Sequence, residues 1–338
     1  MSLLITGGAG FIGLNFINMM IQKEYMIVNL DALTYAANTK EVERLEQYSN
    51  YSFVQGNICD LELLNIIFEK YNIKNIIHFA AESHVDNSIA NPQKFIETNI
   101  VGTFQLLETA RRHWMEGPFR VKKGYEVSRF LHVSTDEVYG SLEEDDPIFT
   151  EETRYSPNSP YSSSKASSDL LVRSYHFTYG MNTLITNCSN NFGPFQHDEK
   201  LIPTVIRSAL SHSEIPVYGE GKNIRDWLYV EDHCNALNII FNNAKSGANY
   251  NIGGNNEKSN IEIVTMICDI LDRIVPSNRI SSYKELITFV QDRPGHDKRY
   301  AINSTKLKNE LGWEPSQNFE KNLEKTIRWY IKKYGYIF

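Results

Sequence analysis

Apolar residues in the first half of the chain fall in short unbroken runs: Leu3–Thr6, Met26–Asp31, Tyr51–Gln55, Asn75–Phe79, Arg129–Ser134 and Thr183–Asn187. Apolar side chains at consecutive positions suit strands covered on both faces, as in a parallel sheet. Between them, Phe11–Lys23, Leu61–Lys70, Pro92–Trp114 and Tyr161–Tyr179 carry helical patterning. Strand and helix in repeated alternation predict an α/β fold with a doubly wound parallel sheet. The second half changes character. Leu201–Ser211, Val230–Asn243, Ile261–Val275 and Asn322–Lys333 read as helices, separated by turn-rich pieces at 218–222 and 251–255. A smaller, mostly helical lobe is expected there, giving domains 1–190 and 191–338 with a soft boundary and segments exchanged across it.

Composition narrows the partners. The 338 residues carry 34 Lys and Arg against 41 Asp and Glu, a net charge of −7, the opposite of a nucleic-acid footprint. No run approaches the roughly 18 apolar residues of a membrane span. The chain enters Leu3-Leu4-Ile5-Thr6 without a basic leader, so no signal peptide is expected. Cys59, Cys188, Cys234 and Cys268 form no CxxC pair, which predicts reduced thiols, a cytoplasmic location and no metal site.

Candidate chemistry sits at two places. Gly7, Gly10 and Gly13 stand between the first run and the first helix. Glycines there either simply make a turn or let backbone N–H groups approach a pyrophosphate at a helix N-terminus, and the strand–turn–helix context favours the second. Asp31 ends the second run, where a carboxylate can accept the hydroxyls of an adenosine ribose. No Arg follows it to receive a 2′-phosphate, so NAD is expected rather than NADP. Further on, Tyr161 and Lys165 share one helix face at i and i+4. Taken alone they read as a solvent-facing pair. Beside a nucleotide site, the lysine charge is expected to lower the phenol's pKa and make Tyr161 a base. Asp136 and Glu137 follow the fifth run: a solvated acidic turn, or an acid and a base suited to eliminating water.

The pairing of GxxGxxG with YxxxK resembles the extended short-chain dehydrogenase/reductase family. Thr135-Asp136-Glu137 further resembles the signature of the dTDP-glucose 4,6-dehydratases within it. Matching blocks run from 78–86, 97–103 and 187–191 through 199–203 and 225–233 to 292–297. The resemblance implies a Rossmann sheet, NAD, a homodimer built on a four-helix bundle, and a lyase acting on dTDP-glucose. In that chemistry Tyr161, with Lys165 and Thr135, serves oxidation at C4′. Glu137 takes the C5′ proton, Asp136 protonates the departing C6′ hydroxyl, and the hydride returns to C6′. The product is a 4-keto-6-deoxy sugar nucleotide, a step toward deoxysugars such as rhamnose.

Carried over position by position, the resemblance implies that Gly7, Gly10, Phe11, Ile12, Gly13, Asp31, Leu33, Thr34, Asn57, Ile58, Phe79, Ala80, Ala81, Ser83, Thr98, Tyr161, Lys165 and Asn191 hold the cofactor. It assigns Ser83, Thr135, Asn190, Glu199, Lys200, Leu201, Pro216, Val217, Tyr218, Arg225, Asn260, Asp292, Arg293 and His296 to the nucleotide sugar. Arg225 is expected as a fork for the diphosphate. The chain departs from the pattern at Asn57 (usually Asp), Asn87 (usually Arg), Phe192 (usually Tyr) and His197-Asp198 (usually an aromatic-Pro pair). A UDP-glucose 4,6-dehydratase or a nucleotide-sugar 4-epimerase of the same fold are the alternatives. An epimerase would have no use for Asp136 and Glu137.

Overall fold

The computed structural model describes residues 1–292 and 296–336. Seven parallel strands form the main sheet: β1 (Ser2–Thr6), β2 (Met26–Asp31), β3 (Tyr51–Gln55), β4 (Asn75–His78), β5 (Arg129–Thr135), β6 (Thr183–Cys188) and β7 (Asn249–Ile252). Their spatial order is β7-β6-β5-β4-β1-β2-β3. Buried side chains run along the strands without alternation; β6 is buried at every position, as both-face coverage demands. The order reverses between β1 and β4. In an open α/β sheet that reversal leaves a crevice beyond the strands' carboxyl ends, which is where ligands bind.

The six strands read from the sequence are present with bounds shifted by at most one residue at either end. The seventh, β7, comes from the second half of the chain, and its last two residues belong to the piece read as turn-rich. Strand β7 pairs with β6 along 249–252. Helix Val230–Asn243 also packs on Phe11–Met20 rather than remaining in the lobe. The segment 92–114 is not one uniform helix. It opens with Pro92–Phe95, widens into a π-helical stretch over Ile96–Gly102, and resumes as an α-helix over Thr103–Trp114. The wide turns bring Asn99 inward. Its side-chain amide accepts from the Glu82 N–H at 2.9 Å and donates to the Glu82 carbonyl at 3.0 Å and to Ser164 Oγ at 2.8 Å. One side chain thereby fixes the loop after β4 to the long helix Pro160–Tyr179.

That helix starts where a capping box and a proline specify it. Ser159 and Ser162 bond reciprocally, with Pro160 in the first turn. The lobe is built on helices Leu201–Leu210, Asn260–Ile274 and Phe319–Lys333. It also holds small sheets that the sequence pattern did not show: Ile215–Tyr218 with Ile287–Val290, and Ile224–Tyr229 between Asn190–Phe192 and Glu257–Ser259. Among the described residues, no helix is long and apolar enough to cross a membrane, and no group of His, Cys, Asp and Glu could hold a metal ion.

Candidate active site

A cleft of about 390 Å³ opens at the carboxyl ends of the strands. Its nucleotide end rests on the turn after β1. Gly7 has φ +72°, and a Cβ there would lie 2.6 Å from the Ala80 nitrogen; a Cβ on Gly13 would lie 2.4 Å from the Gly7 carbonyl oxygen. Only glycine lets these backbones approach so closely. The helix Phe11–Met20 begins with no side chain capping its first N–H groups, which leaves them directed at the cleft.

Asp31 closes this end. Its carboxylate accepts from the Ala9 N–H at 2.9 Å and the Leu33 N–H at 2.8 Å. Burial raises its pKa, and those two hydrogen bonds act in the opposite direction. Leu33 holds φ +51° and supports Asp31 without lining the cleft. The other seventeen residues expected to hold the cofactor all line it. Asn57 turns its carbonyl onto the Cys59 N–H at 2.9 Å, an Asx turn on its own backbone. These features fit a dinucleotide: a glycine cradle for the pyrophosphate, and a carboxylate held in place by its own backbone for the ribose.

The catalytic end is formed by β5, β6 and the start of the long helix. Thr135, Asp136, Glu137, Tyr161 and Lys165 all face the same cleft. Asp136 is 2% exposed. Thr135 Oγ1 donates to its Oδ1 at 3.3 Å, and Oδ2 has no hydrogen-bond partner among the described residues. Burial, then the charges of Glu137 and Asp226, push its pKa well above the carboxylate range, with Arg225 opposing. Burial and the neighbouring carboxylates thus favour the protonated form of Asp136, and its unpartnered Oδ2 is at the cleft.

Tyr161 behaves differently from the sequence expectation. Burial and the charge of Glu137 push its phenol well above its ordinary pKa, while a hydrogen bond with Thr135 acts against them. Lys165 is not among the leading influences on it. The ammonium instead donates to the Val133 carbonyl at 3.0 Å and contacts His132 Nε2 at 3.3 Å, and burial lowers its own pKa.

The expected sugar-nucleotide residues divide into two groups. Ser83, Thr135, Asn190, Glu199 and Lys200 line the cleft. Glu199 accepts from Tyr35 OH at 3.1 Å and lies 3.8 Å from His84 and 3.6 Å from His197. Burial and Glu199 push the Tyr35 phenol up to about 12. Leu201, Pro216, Val217, Tyr218, Arg225, Asn260, Asp292 and His296 do not line the cleft. Leu201 starts a lobe helix, Val217 is buried within the lobe, and Asn260 starts another helix by donating its N–H to the Asn223 carbonyl. The Arg225 fork, expected on a diphosphate, donates to the carbonyls of Ile224 and Asp297 at 2.7 and 3.0 Å and stacks over Tyr300. His296 pairs with Asp292 at 2.6 Å. Arg293 lies outside the described residues. Cys188, Ser189, Gln196 and Lys94 line the cleft without having been assigned to it, and so does His197, noted only as a departure from the pattern. Cys188 and Ser189 carried a readable signal, because they stand at and just after a strand's carboxyl end.

Comparison with known proteins places this geometry in a group. Residues 4–326 match the family described as GDP-mannose 4,6 dehydratase. A dTDP-glucose 4,6-dehydratase of Salmonella typhimurium is 51% identical over 98% of this chain and 93% of its own length. The crystal structure of a dTDP-glucose 4,6-dehydratase from Streptomyces venezuelae with NAD bound is 40% identical and superposes with a TM-score of 0.87, covering 99% of this chain and 98% of that one. A Bacillus anthracis dTDP-glucose 4,6-dehydratase in complex with NAD is 43% identical with a TM-score of 0.84, covering 98% and 97%.

Replacing Asp31 with Ala removes the carboxylate at the ribose position, at about 1.5–3 kcal/mol for a hydrogen bond to a charged group. Calorimetric titration of Asp31→Ala should show NAD binding weakened by roughly 10- to 150-fold with the fold intact by circular dichroism. Unchanged NAD affinity would remove Asp31 from the site.

Proposed function

This chain belongs to the family of nucleotide-sugar 4,6-dehydratases, and on that premise we propose that it is a dTDP-glucose 4,6-dehydratase, an NAD-dependent hydro-lyase forming the 4-keto-6-deoxy sugar nucleotide. The observation that carries the reading is Asp136. A carboxyl held protonated by burial, with one oxygen unpartnered, stands beside the second carboxyl Glu137 and in the same cleft as Tyr161 and Lys165. Oxidation alone, or epimerisation, has no use for such an acid. Removing a hydroxyl as water requires one.

NAD when bound supplies storage for one hydride and a cationic ring, so net redox is zero and the cofactor stays in place. Tyr161 would take the proton of the C4′ hydroxyl as its phenolate, a form that the Thr135 hydrogen bond and the positive charge of bound NAD favour against burial and Glu137. With a ketone at C4′ the C5′ proton is acidic, and Glu137 removes it. Asp136 delivers its proton to the C6′ hydroxyl, which departs as water. The Gly7–Gly13 turn, Asp31, Phe79–Ala81 and Asn191 hold the cofactor. Ser83, Asn190, Glu199 and Lys200 hold the sugar nucleotide at the cleft, with the lobe residues 216–218, Arg225, Asn260, Asp292 and His296 as its outer wall.

The same reading makes the protein a cytoplasmic homodimer, in keeping with four free thiols. Ile89, Ile96, Val101 and Phe104 on the segment before Trp114, and Leu170 and Phe177 on the long helix, are all at least 40% exposed. Leu106, Leu107 and Val172 instead face the sheet, fully buried. An exposed apolar face on two neighbouring helices suits pairing with its own copy into a four-helix bundle.

Purified protein given dTDP-glucose, without added reductant, should yield a product lighter by one water in mass spectrometry. UDP-glucose in a parallel reaction reads out base preference, and an isomer of unchanged mass would mean epimerase. Tyr161→Phe should suppress reduction of bound NAD by about 10²–10⁴. Asp136→Asn and Glu137→Gln should still reduce it and accumulate a 4-keto nucleotide that has kept its water. Equal loss of NAD reduction in all three would remove the acid pair from the elimination step. Sedimentation at micromolar concentration should give a dimer that Phe104→Glu with Leu170→Glu dissociates; a monomeric wild type would refute the bundle.

A further inference from the structure

Asp169 lies one helical turn beyond Lys165 on the long helix and is 1% exposed, yet no step of the dehydration uses it. Its Oδ2 accepts from Tyr155 OH at 3.0 Å and from the Asn187 amide at 3.0 Å, and its Oδ1 lies 3.2 Å from His132 Nε2. His132 Nε2 in turn lies 3.3 Å from Lys165 Nζ. The same Asn187 amide donates to the Thr135 carbonyl at 3.1 Å. Asp169 is thus a hub between the lysine of the oxidation step and the strand end that carries Thr135, Asp136 and Glu137.

A buried ammonium loses its charge unless an anion compensates. Lys165 is 4% exposed. Two groups favour its charged form: Asp169, and after it the Cys188 thiol. That thiol is itself pushed well above its ordinary pKa by burial, so it supplies no anion at neutral pH. We propose that Asp169 is a positioning residue, whose carboxylate keeps Lys165 charged and aimed and, through Asn187, registers it against the Thr135–Glu137 turn. The kinetic part of this rests on the dehydratase reading; the state of the lysine does not.

The groups facing Asp169 are Lys165 on its own helix, His132 and Ser134 on β5 with His78 behind, Asn187 on β6, Tyr139 from the turn after β5 and Tyr155 from the loop before the helix. His78 and His132 are held neutral, chiefly by burial. Burial raises Asp169 to about 6, while Lys165 and hydrogen bonds from Ser134, Asn187 and Tyr155 oppose the rise. As pH falls through about 6 the carboxylate takes a proton, Lys165 loses its counter-charge, and turnover falls.

The test uses protein labelled with carbon-13 at the lysine ε-carbon, with Lys165 assigned from the spectrum of Lys165→Met. Asp169→Asn should move the Lys165 titration down by about one unit or more and lower kcat at pH 8 by roughly tenfold or more. It should leave KM within about twofold and abolish the acid limb near pH 6. Should that variant not fold, Tyr155→Phe decides. Loss of one hydrogen bond to the carboxylate should move the acid limb up by roughly one unit, and in the NMR titration the Lys165 signal should respond to pH over the same shifted range. An unchanged Lys165 titration in Asp169→Asn, or in Tyr155→Phe if that variant is the one available, overturns the proposal whatever the turnover. Absence of wild-type turnover on dTDP-glucose refutes the dehydratase reading alone.

Discussion

Water exclusion at the carboxyl ends of β5 and β6 governs this protein. Three ionisable side chains, Asp136, Tyr161 and Lys165, stand there at 8% exposure or less. Burial is the largest influence on the pKa of each, and it always disfavours the charged form. For Asp136 the consequence is useful, because a neutral carboxyl is a proton donor. For Lys165 it is a threat, because a lysine that loses its proton no longer favours an anion beside it. One physical condition therefore suits the acid and endangers the ammonium, and the network through His132, Asp169 and Asn187 lies at the point where the two demands meet.

The fold serves that condition. Parallel strands end together, and their neighbouring carbonyls and side chains converge at one edge; helices on both faces keep water out. The π-helical stretch at Ile96–Gly102 turns Asn99 into the interior, where it links the loop after β4 to the helix bearing Tyr161 and Lys165. Nucleotide cradle and acid pair are thereby held against one another rather than on independent loops.

Much of this was legible along the chain, for reasons that differ between parts. The buried strands announced themselves because both faces must be apolar. The glycine turn did so because its demands are local: positive φ at Gly7 and close approach at Gly13. Strand β7 escaped because Asn249 and Asn251 break the apolar run. Asn251 accepts from Tyr139 OH at 2.8 Å and donates its N–H to the Glu151 carboxylate at 2.9 Å, contacts more than 90 residues away in sequence that no pattern records. The lobe residues 216–218, Arg225 and Asn260 share the same non-locality, being set by short strands and helix starts outside the cleft. The phenol of Tyr161 was misjudged because i and i+4 spacing says two side chains share a face, not which partner the lysine prefers. A carbonyl at the end of β5 and His132 hold it instead. Asp169 was visible as one more i+4 step, and only its burial shows that it matters.

The protonation state of Asp136 is open to direct observation. Infrared spectra of protein labelled with carbon-13 at the aspartate side-chain carboxyl, taken at neutral pH as wild type minus Asp136→Asn, isolate this single group. A protonated-carboxyl stretch in the difference, persisting until well above the usual carboxylate titration range, is the expected result. A difference containing carboxylate bands alone would contradict it, and would leave the C6′ hydroxyl without its proton donor.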